Sequence, residues 1–217
     1  MIQFQSFEKK YGKTLVIAVS KLKLTSKIYW IHGKNGSGKS TLLQSIAGML
    51  RFNGDIKIED YSLKKNPSLC KSWINYAPAE PRYPPFLSGK EIIQLYIQTK
   101  NGNIKNVDYL ISELGMSNYM DLPISSYSSG MLKKVALVAA FTGDVKWILL
   151  DEPFNAIDQY SIEILSKWIQ YFHKEKGIGF ILTSHQGINI DLINGIEEMY
   201  IDNNEIKTTD DRNNETA

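Results

Sequence analysis

The residues of this chain that could do chemistry fall in three places, and each is suited to phosphate. Gly33-Lys34-Asn35-Gly36-Ser37-Gly38-Lys39-Ser40 has the spacing G-x-x-x-x-G-K-[ST], set between the apolar stretch KIYWIHG and the helical pattern STLLQSIAGML. Glycines so placed let consecutive backbone N–H groups wrap a polyphosphate. Lys39 then reaches the β- and γ-phosphates, and the Ser40 hydroxyl is offered to Mg²⁺. Gly33, Asn35, Gly36, Ser37, Gly38, Lys39, Ser40 and Thr41 are therefore the expected nucleotide-binding set. The second place is WILLDE, where apolar residues bury a strand and leave Asp151 and Glu152 adjacent at its tip. Asp151 can hold Mg²⁺ through water, and Glu152 can take a proton from an attacking water. Alone, Asp-Glu before Pro153 is also a charged strand exit, but downstream of a phosphate loop the metal-and-base reading takes precedence. The third is His185, which closes the apolar stretch FILTSH and is placed to hydrogen-bond a γ-phosphate.

Two further features are more ambiguous. SSYSSGMLKKVALVAA (125–140) reads as a helix entered through small polar residues. Its free N–H groups and its dipole favour an anion, although a serine N-cap alone would look the same. Tyr11 precedes a glycine in a polar turn, where it is either a platform for a nucleotide base or an exposed turn aromatic.

These residues must be carried by strands and helices whose periods are visible. Period-two alternation at 2–7, 15–19 and 27–33 predicts strands, and a helix follows the glycine-rich loop over 40–50. A turn and strand follow at 52–60, then a buried strand at WINYAP. Prolines at 78, 81, 84 and 85 make the next stretch a rigid loop. Ser88 and Glu91 form a capping box, and a second helix over 107–115 stops at Gly115. KWILLD is a strand, Asp158 to about Lys174 a long amphipathic helix, GFILTSH a strand, and EEMYID a final edge strand. Strands alternating with helices imply right-handed crossovers and a parallel sheet with ligands at the strand C-termini. The expected fold class is α/β. It comprises a P-loop NTPase core with a mostly parallel sheet, an N-terminal antiparallel β subdomain and a helical subdomain inserted at about 86–127. One domain over 1–205 and a frayed tail over 206–217 complete the expected organisation.

Composition bounds the partners. With 43% hydrophobic and 22% charged residues the chain resembles ordinary globular domains. A net charge of +2 with scattered Lys and Arg calls for no nucleic acid. Cys70, the single cysteine, cannot form an internal disulfide and suits a reducing compartment. No apolar run approaches the roughly 20 residues of a membrane span.

In their order, the phosphate loop, the serine–glycine helix opening, Asp-Glu-Pro at a strand end, Asn155-Ala156-Ile157-Asp158 and Thr183-Ser184-His185 resemble the nucleotide-binding domain of ABC transporters, over about residues 2–202. The resemblance implies ATP and Mg²⁺ as ligands and ATP hydrolysis, with Lys39, Glu152 and His185 as the catalytic residues and Ser40 and Asp151 at the metal. It places Tyr11 on adenine and makes Tyr127 to Met131 the signature motif, so that Ser128, Ser129 and Gly130 contact nucleotide. Asp158 contacts nucleotide as well, from the D-loop, and His185 is the switch histidine. It also implies a head-to-tail dimer of two copies, each ATP held between the P-loop of one and the signature helix of the other. This resolves why one small domain carries two phosphate cradles. A separate transmembrane permease would receive the dimer on the cytoplasmic face of the membrane, at a groove beside Arg82, Tyr83 and Phe86. The form of the signature and the lack of a C-terminal regulatory domain lean toward a bacterial exporter.

The pattern departs from the family in two places. Tyr127, Ser129 and Met131 replace residues of Leu-Ser-Gly-Gly-Gln, and Ala79 stands where the family has a glutamine that touches Mg²⁺. Either an extra water replaces the glutamine oxygen, or a shifted loop brings Glu80 there. The rival readings are a non-transport ATPase of the same superfamily, in iron–sulfur assembly or DNA maintenance, and a P-loop kinase or GTPase. Long coiled coils, zinc cysteines and a basic face are missing for the DNA-maintenance member, and a guanine-reading Asn/Thr-Lys-x-Asp motif for the GTPase. A binding-only module is at odds with the presence of Lys39, Asp151, Glu152 and His185.

Overall fold

A computed structural model describes residues 1–185 and 192–208. Among these residues one sheet of ten strands runs in the order β5-β4-β1-β2-β10-β9-β3-β8-β7-β6. Strands β1 (Ile2–Tyr11), β2 (Thr14–Leu24), β4 (Asn53–Ile58) and β5 (Tyr61–Ser62) pair antiparallel, as the expected N-terminal β subdomain does. β3 (Ile28–His32), β6 (Ile74–Ala77), β7 (Trp147–Asp151), β8 (Gly179–Ser184) and β9 (Ile196–Asp202) pair parallel. β10 (Glu205–Thr208) returns antiparallel to β9 and bridges to β2, joining the two halves.

The parallel strands are buried on both faces, and their residues divide by period two. Ile148 and Leu150 of β7, Phe180 and Leu182 of β8, and Ile28 and Trp30 of β3 face one core. Trp147, Leu149, Ile181, Tyr29 and Ile31 face the other. Helix α1 (Lys39–Ile46) covers the second face with Leu42, Leu43 and Ile46. Helices α5 (Ser129–Ala140) and α6 (Gln159–Lys176) cover the first, each buried Leu or Ile contributing about 1.5–3 kcal/mol.

Helices α3 (Gly89–Thr99) and α4 (Ile104–Glu113) and a 3-10 turn over Ile124–Ser126 occupy the segment read as a helical insertion. The Ser88–Glu91 capping box forms as expected. Ile92, Ile93, Val107 and Leu110 join the same contiguous core as α5 and α6, so the segment packs onto the body.

Three expectations need correction. EEMYID lies inside the sheet, between β3 and β10, because the turn after Asp202 lets the chain fold back and add a strand. That strand runs to Thr208, three residues into the stretch read as a frayed tail, while 209–217 lie outside the described residues. The first helix ends at Ile46, four residues short of its expected end, with Gly48 following at φ 68. A further short helix, α2 (Pro67–Ser72), has no periodic signal in the sequence.

Candidate nucleotide site

β3, β8 and β7 are neighbours in register, with His32 opposite Ser184 and Asp151 opposite Thr183. Their C-termini therefore emerge at one edge, which is where ligands sit in open α/β sheets. The loop at 33–38, the end of β7 and His185 meet there because of strand order.

The phosphate loop is shaped by backbone. Gly38 caps α1 at φ 103, and a Cβ there would lie 3.2 Å from both Val16 Cγ1 and its carbonyl oxygen, so only glycine fits. Lys39 is buried at 6% exposure and folds back over the loop, donating to Gly33 O at 2.7 Å and Lys34 O at 3.2 Å. Burial lowers its pKa, and the charges of Glu152 and Asp151 oppose that shift. Ser37 Oγ is buried without a hydrogen-bond partner, which suits a loop built to close on the oxygens of an anion.

Asp151 is 1% exposed and held from two sides, by Thr183 Oγ1 donating to Oδ1 at 2.6 Å and Tyr76 OH donating to Oδ2 at 3.1 Å. Burial, with Asp151 adding to it, raises the pKa of the Tyr76 hydroxyl and keeps it a donor. Among the described residues no three His, Cys, Asp or Glu side chains gather to hold a metal by themselves. One held carboxylate and the Ser40 hydroxyl fit Mg²⁺, which is bound by one or two protein groups together with substrate phosphates and water.

Glu152 follows at φ 47, a left-handed conformation that costs a non-glycine residue about 1 kcal/mol. Its N–H donates to Thr183 Oγ1 at 3.1 Å. Its Oε2 accepts from Asn155 Nδ2 at 3.2 Å and lies 3.0 Å from His185 Nδ1. The strained turn is what rotates this carboxylate away from the strand and into the cleft. That cleft, about 900 Å³, is lined by Tyr11, Asn35, Lys39, Ser40, Glu152 and His185, together with Ser129 and Ala156. Tyr11, last residue of β1, is 53% exposed at the mouth, and Lys9 Nζ lies 4.6 Å from the centroid of its ring.

The second cradle forms as a capped helix start. Ser128 Oγ accepts from Met131 N at 3.2 Å, leaving the N–H groups of Ser129 and Gly130 without intrahelical partners. A Cβ on Gly130 would lie 2.7 Å from Ala156 O, so the loop carrying Asn155 packs directly on this helix start. Asp158 lies outside the cleft lining. Its carboxylate caps α6, accepting from Ser161 N at 2.9 Å, and pairs with Lys134 Nζ at 2.9 Å, which holds its pKa well below the usual carboxylate range.

Three residues that hold the site have no role assigned to them in the sequence. Thr183 was visible as a hydroxyl in an apolar strand, and Tyr76 as an alternate residue of β6. Lys133 is 1% exposed and donates to Asp151 O at 2.7 Å, Pro78 O at 2.9 Å and Ala79 O at 3.4 Å. Burial pulls its pKa down to about 8 against the raising influence of Asp151 and Glu152. Its only sequence signal was a charge inside an apolar helix.

The proline loop forms a partition. Ala79, Glu80 and Arg82 line the nucleotide cleft and also a neighbouring groove that holds Tyr83, Tyr96 and Lys100. Phe86 is 77% exposed but stands outside that groove lining. Glu80 and Arg82 are highly exposed and pair at 3.8 Å, while the oxygens that contact the Asp151 carboxylate are the hydroxyls of Thr183 and Tyr76.

Fold and site together define a P-loop nucleotide-binding cassette. The family described as ABC transporter matches residues 21–155, and the chain belongs to that family. It is 26% identical over 176 residues to the uncharacterized ABC transporter ATP-binding protein YhcH of Bacillus subtilis (strain 168), covering 80% of this chain and 58% of that one. The chain thus spans less than two thirds of that relative's length. It is 32% identical over 159 residues to the cytochrome c biogenesis ATP-binding export protein CcmA of Legionella pneumophila, covering 73% of this chain and 78% of that one. A solved structure of an ATP binding subunit of an ABC transporter superposes with a TM-score of 0.86 at 22% identity, over 99% of this chain and 92% of that chain.

Proposed function

We propose that this chain hydrolyses ATP with Mg²⁺ and works as the ATP-binding subunit of a bacterial ABC exporter whose membrane permease is a separate chain. The observation that carries the reading is the Glu152 carboxylate, held by Asn155 and His185 at the wall of a cleft that also holds Lys39. Lys39, Ser37 and the loop N–H groups bind the phosphates, and Tyr11 offers its ring to the base. Glu152 takes the proton of water as that water attacks the γ-phosphorus and the bond to the β-phosphate oxygen breaks, and His185 orients Glu152. Ser40 and Asp151 would hold Mg²⁺, which would supply positive charge against the phosphates. The N–H groups of Ser129 and Gly130 serve the γ-phosphate held by a second copy, and Asp158 keeps that helix start in place through Lys134.

Support for a permease partner comes from family membership and from the groove beside Arg82 and Tyr83, while the export role in the name of the Legionella relative favours export. Among the described residues no helix is long and apolar enough to cross a membrane. The test is twofold. Purified protein is expected to release phosphate from Mg-ATP and Glu152→Gln to release none, and pull-down from native membranes is expected to bring one polytopic membrane protein. Equal phosphate release by the wild type and Glu152→Gln would overturn the reading.

A further inference from the structure

Lys133 is among the largest fully buried side chains, and it stands on α5 one turn beyond the Ser128–Gly130 helix start. A buried ammonium is costly unless every donor is matched, and a leucine would fill the same space at no such cost. Its three donors go to three backbone carbonyls from two distant elements, Asp151 O, Pro78 O and Ala79 O. The Asp151 carbonyl belongs to the same peptide group as the Glu152 N–H, which donates to Thr183 Oγ1 on the other side. That peptide is therefore clamped from both ends, and it is the one that sets Glu152 at φ 47. The other two carbonyls begin the loop whose Ala79, Glu80 and Arg82 separate the nucleotide cleft from the neighbouring groove.

We propose that Lys133 is a positioning residue for Glu152, tying the orientation of the 151–152 peptide to the position of the loop at 78–82. Whatever shifts that loop, nucleotide on one side or a partner in the groove on the other, is felt by the catalytic carboxylate through one ammonium. This rests on the ATPase reading above and adds to it how the groove and the base communicate.

The test compares Lys133→Met, which keeps the alkyl stem and removes the donors, with Lys133→Arg, which restores N–H donors and charge. Mg-ATP affinity is measured by equilibrium binding, turnover by phosphate release, and amide exchange at 79–82 and 152–155 by mass spectrometry. The Met variant is expected to bind Mg-ATP within about threefold of wild type, to lose about tenfold or more in kcat with little change in KM, and to exchange faster at both segments together. The Arg variant is expected to recover both. A folded Met variant with wild-type kcat, or with faster exchange at only one of the two segments, overturns the proposal. If the Met variant does not fold, Lys133→Leu, which also removes the donors, is read by the same criteria. A wild type that neither binds nor hydrolyses Mg-ATP overturns the function reading itself, whereas normal wild-type turnover beside an unaltered Met variant overturns only the role of Lys133.

Discussion

Glu152 Oε2 lies 3.0 Å from His185 Nδ1, and the same oxygen accepts from Asn155 Nδ2 at 3.2 Å. A carboxylate gripped by two side chains, on a backbone held at φ 47, has little freedom to rotate, and freedom of that kind is what a general base must lack. Removing its charge and removing its holder should therefore differ. Glu152→Gln is expected to stop hydrolysis while ATP stays bound, giving an ATP-dependent dimer by light scattering. His185→Ala is expected to lower kcat by about 100-fold or more with ATP affinity retained. A Glu152→Gln protein that binds ATP yet stays monomeric at high concentration would argue against a site shared by two copies of this chain.

Tyr11 stands at the cleft mouth with Lys9 over its ring, which leaves stacking as its way of holding a base. Stacking is worth about 1–3 kcal/mol and does not distinguish bases. Tyr11→Ala should weaken ATP and GTP by similar factors in a titration calorimeter, and Tyr11→Trp should restore both. Unchanged ATP affinity in the alanine variant would leave Tyr11 an exposed turn aromatic.

Ala79, which offers no side-chain oxygen, lines both the cleft and the neighbouring groove, and in that groove the Tyr76 hydroxyl lies 3.1 Å from Asp151 Oδ2. Ala79→Gln is expected to lower the Mg²⁺ concentration needed for half-maximal ATP binding, and Tyr76→Phe to raise it by releasing one side of Asp151. Glu80→Ala should do nothing measurable, since Glu80 is paired with Arg82 in solvent. Loss of Mg²⁺ dependence in Glu80→Ala, with Ala79→Gln silent, would mean that the loop rearranges on binding.

Alkaline pH should reveal Lys100, whose Nζ donates to Lys71 O and Ile74 O and whose pKa burial lowers from 10.5 to about 8. Between those values the unfolded chain carries a proton that the folded chain has lost. The group therefore contributes least below pH 8, and its contribution rises with pH up to about 10.5. Urea unfolding of the wild type and Lys100→Met at pH 7.5 and about 9.5 should show the wild type gaining stability relative to the variant. Tyr119, whose pKa burial raises from 10.0 to about 12, acts in the opposite sense, and its contribution is lost as pH climbs through that range. A wild type that falls relative to Lys100→Met between the two pH values would contradict the half-buried position of this lysine.

Gly130 faces the carbonyl of Ala156 with room for no Cβ. Gly130→Ala should displace the loop that carries Asn155, and a loss of kcat with little change in Tm is the expected signature. Unaltered kcat would show that the loop gives way without moving Asn155.

Much of this protein is local in the sequence. The period-two alternation of β1, β2 and β3, the apolar runs of β7 and β8, the glycine-rich loop, the caps at Ser88 and Ser128, and the Asp-Glu strand tip are each set by residues within a few positions of one another. Strand pleat, helix capping and glycine freedom act over that range, so these elements and the residues they carry can be read without a fold. The tertiary structure decided what lies beside them. Strand order placed Thr183 next to Asp151, His185 next to Glu152, and β9 inside the sheet instead of at its edge. It sent Lys133 inward, made Tyr76 the partner of Asp151, turned Glu80 to the surface, and gave the Asp158 carboxylate to a helix cap and Lys134. Which donor meets which acceptor across dozens of residues depends on how strands pair and helices pack, because a hydrogen bond or an ion pair is decided by a few ångströms of distance and not by chain position.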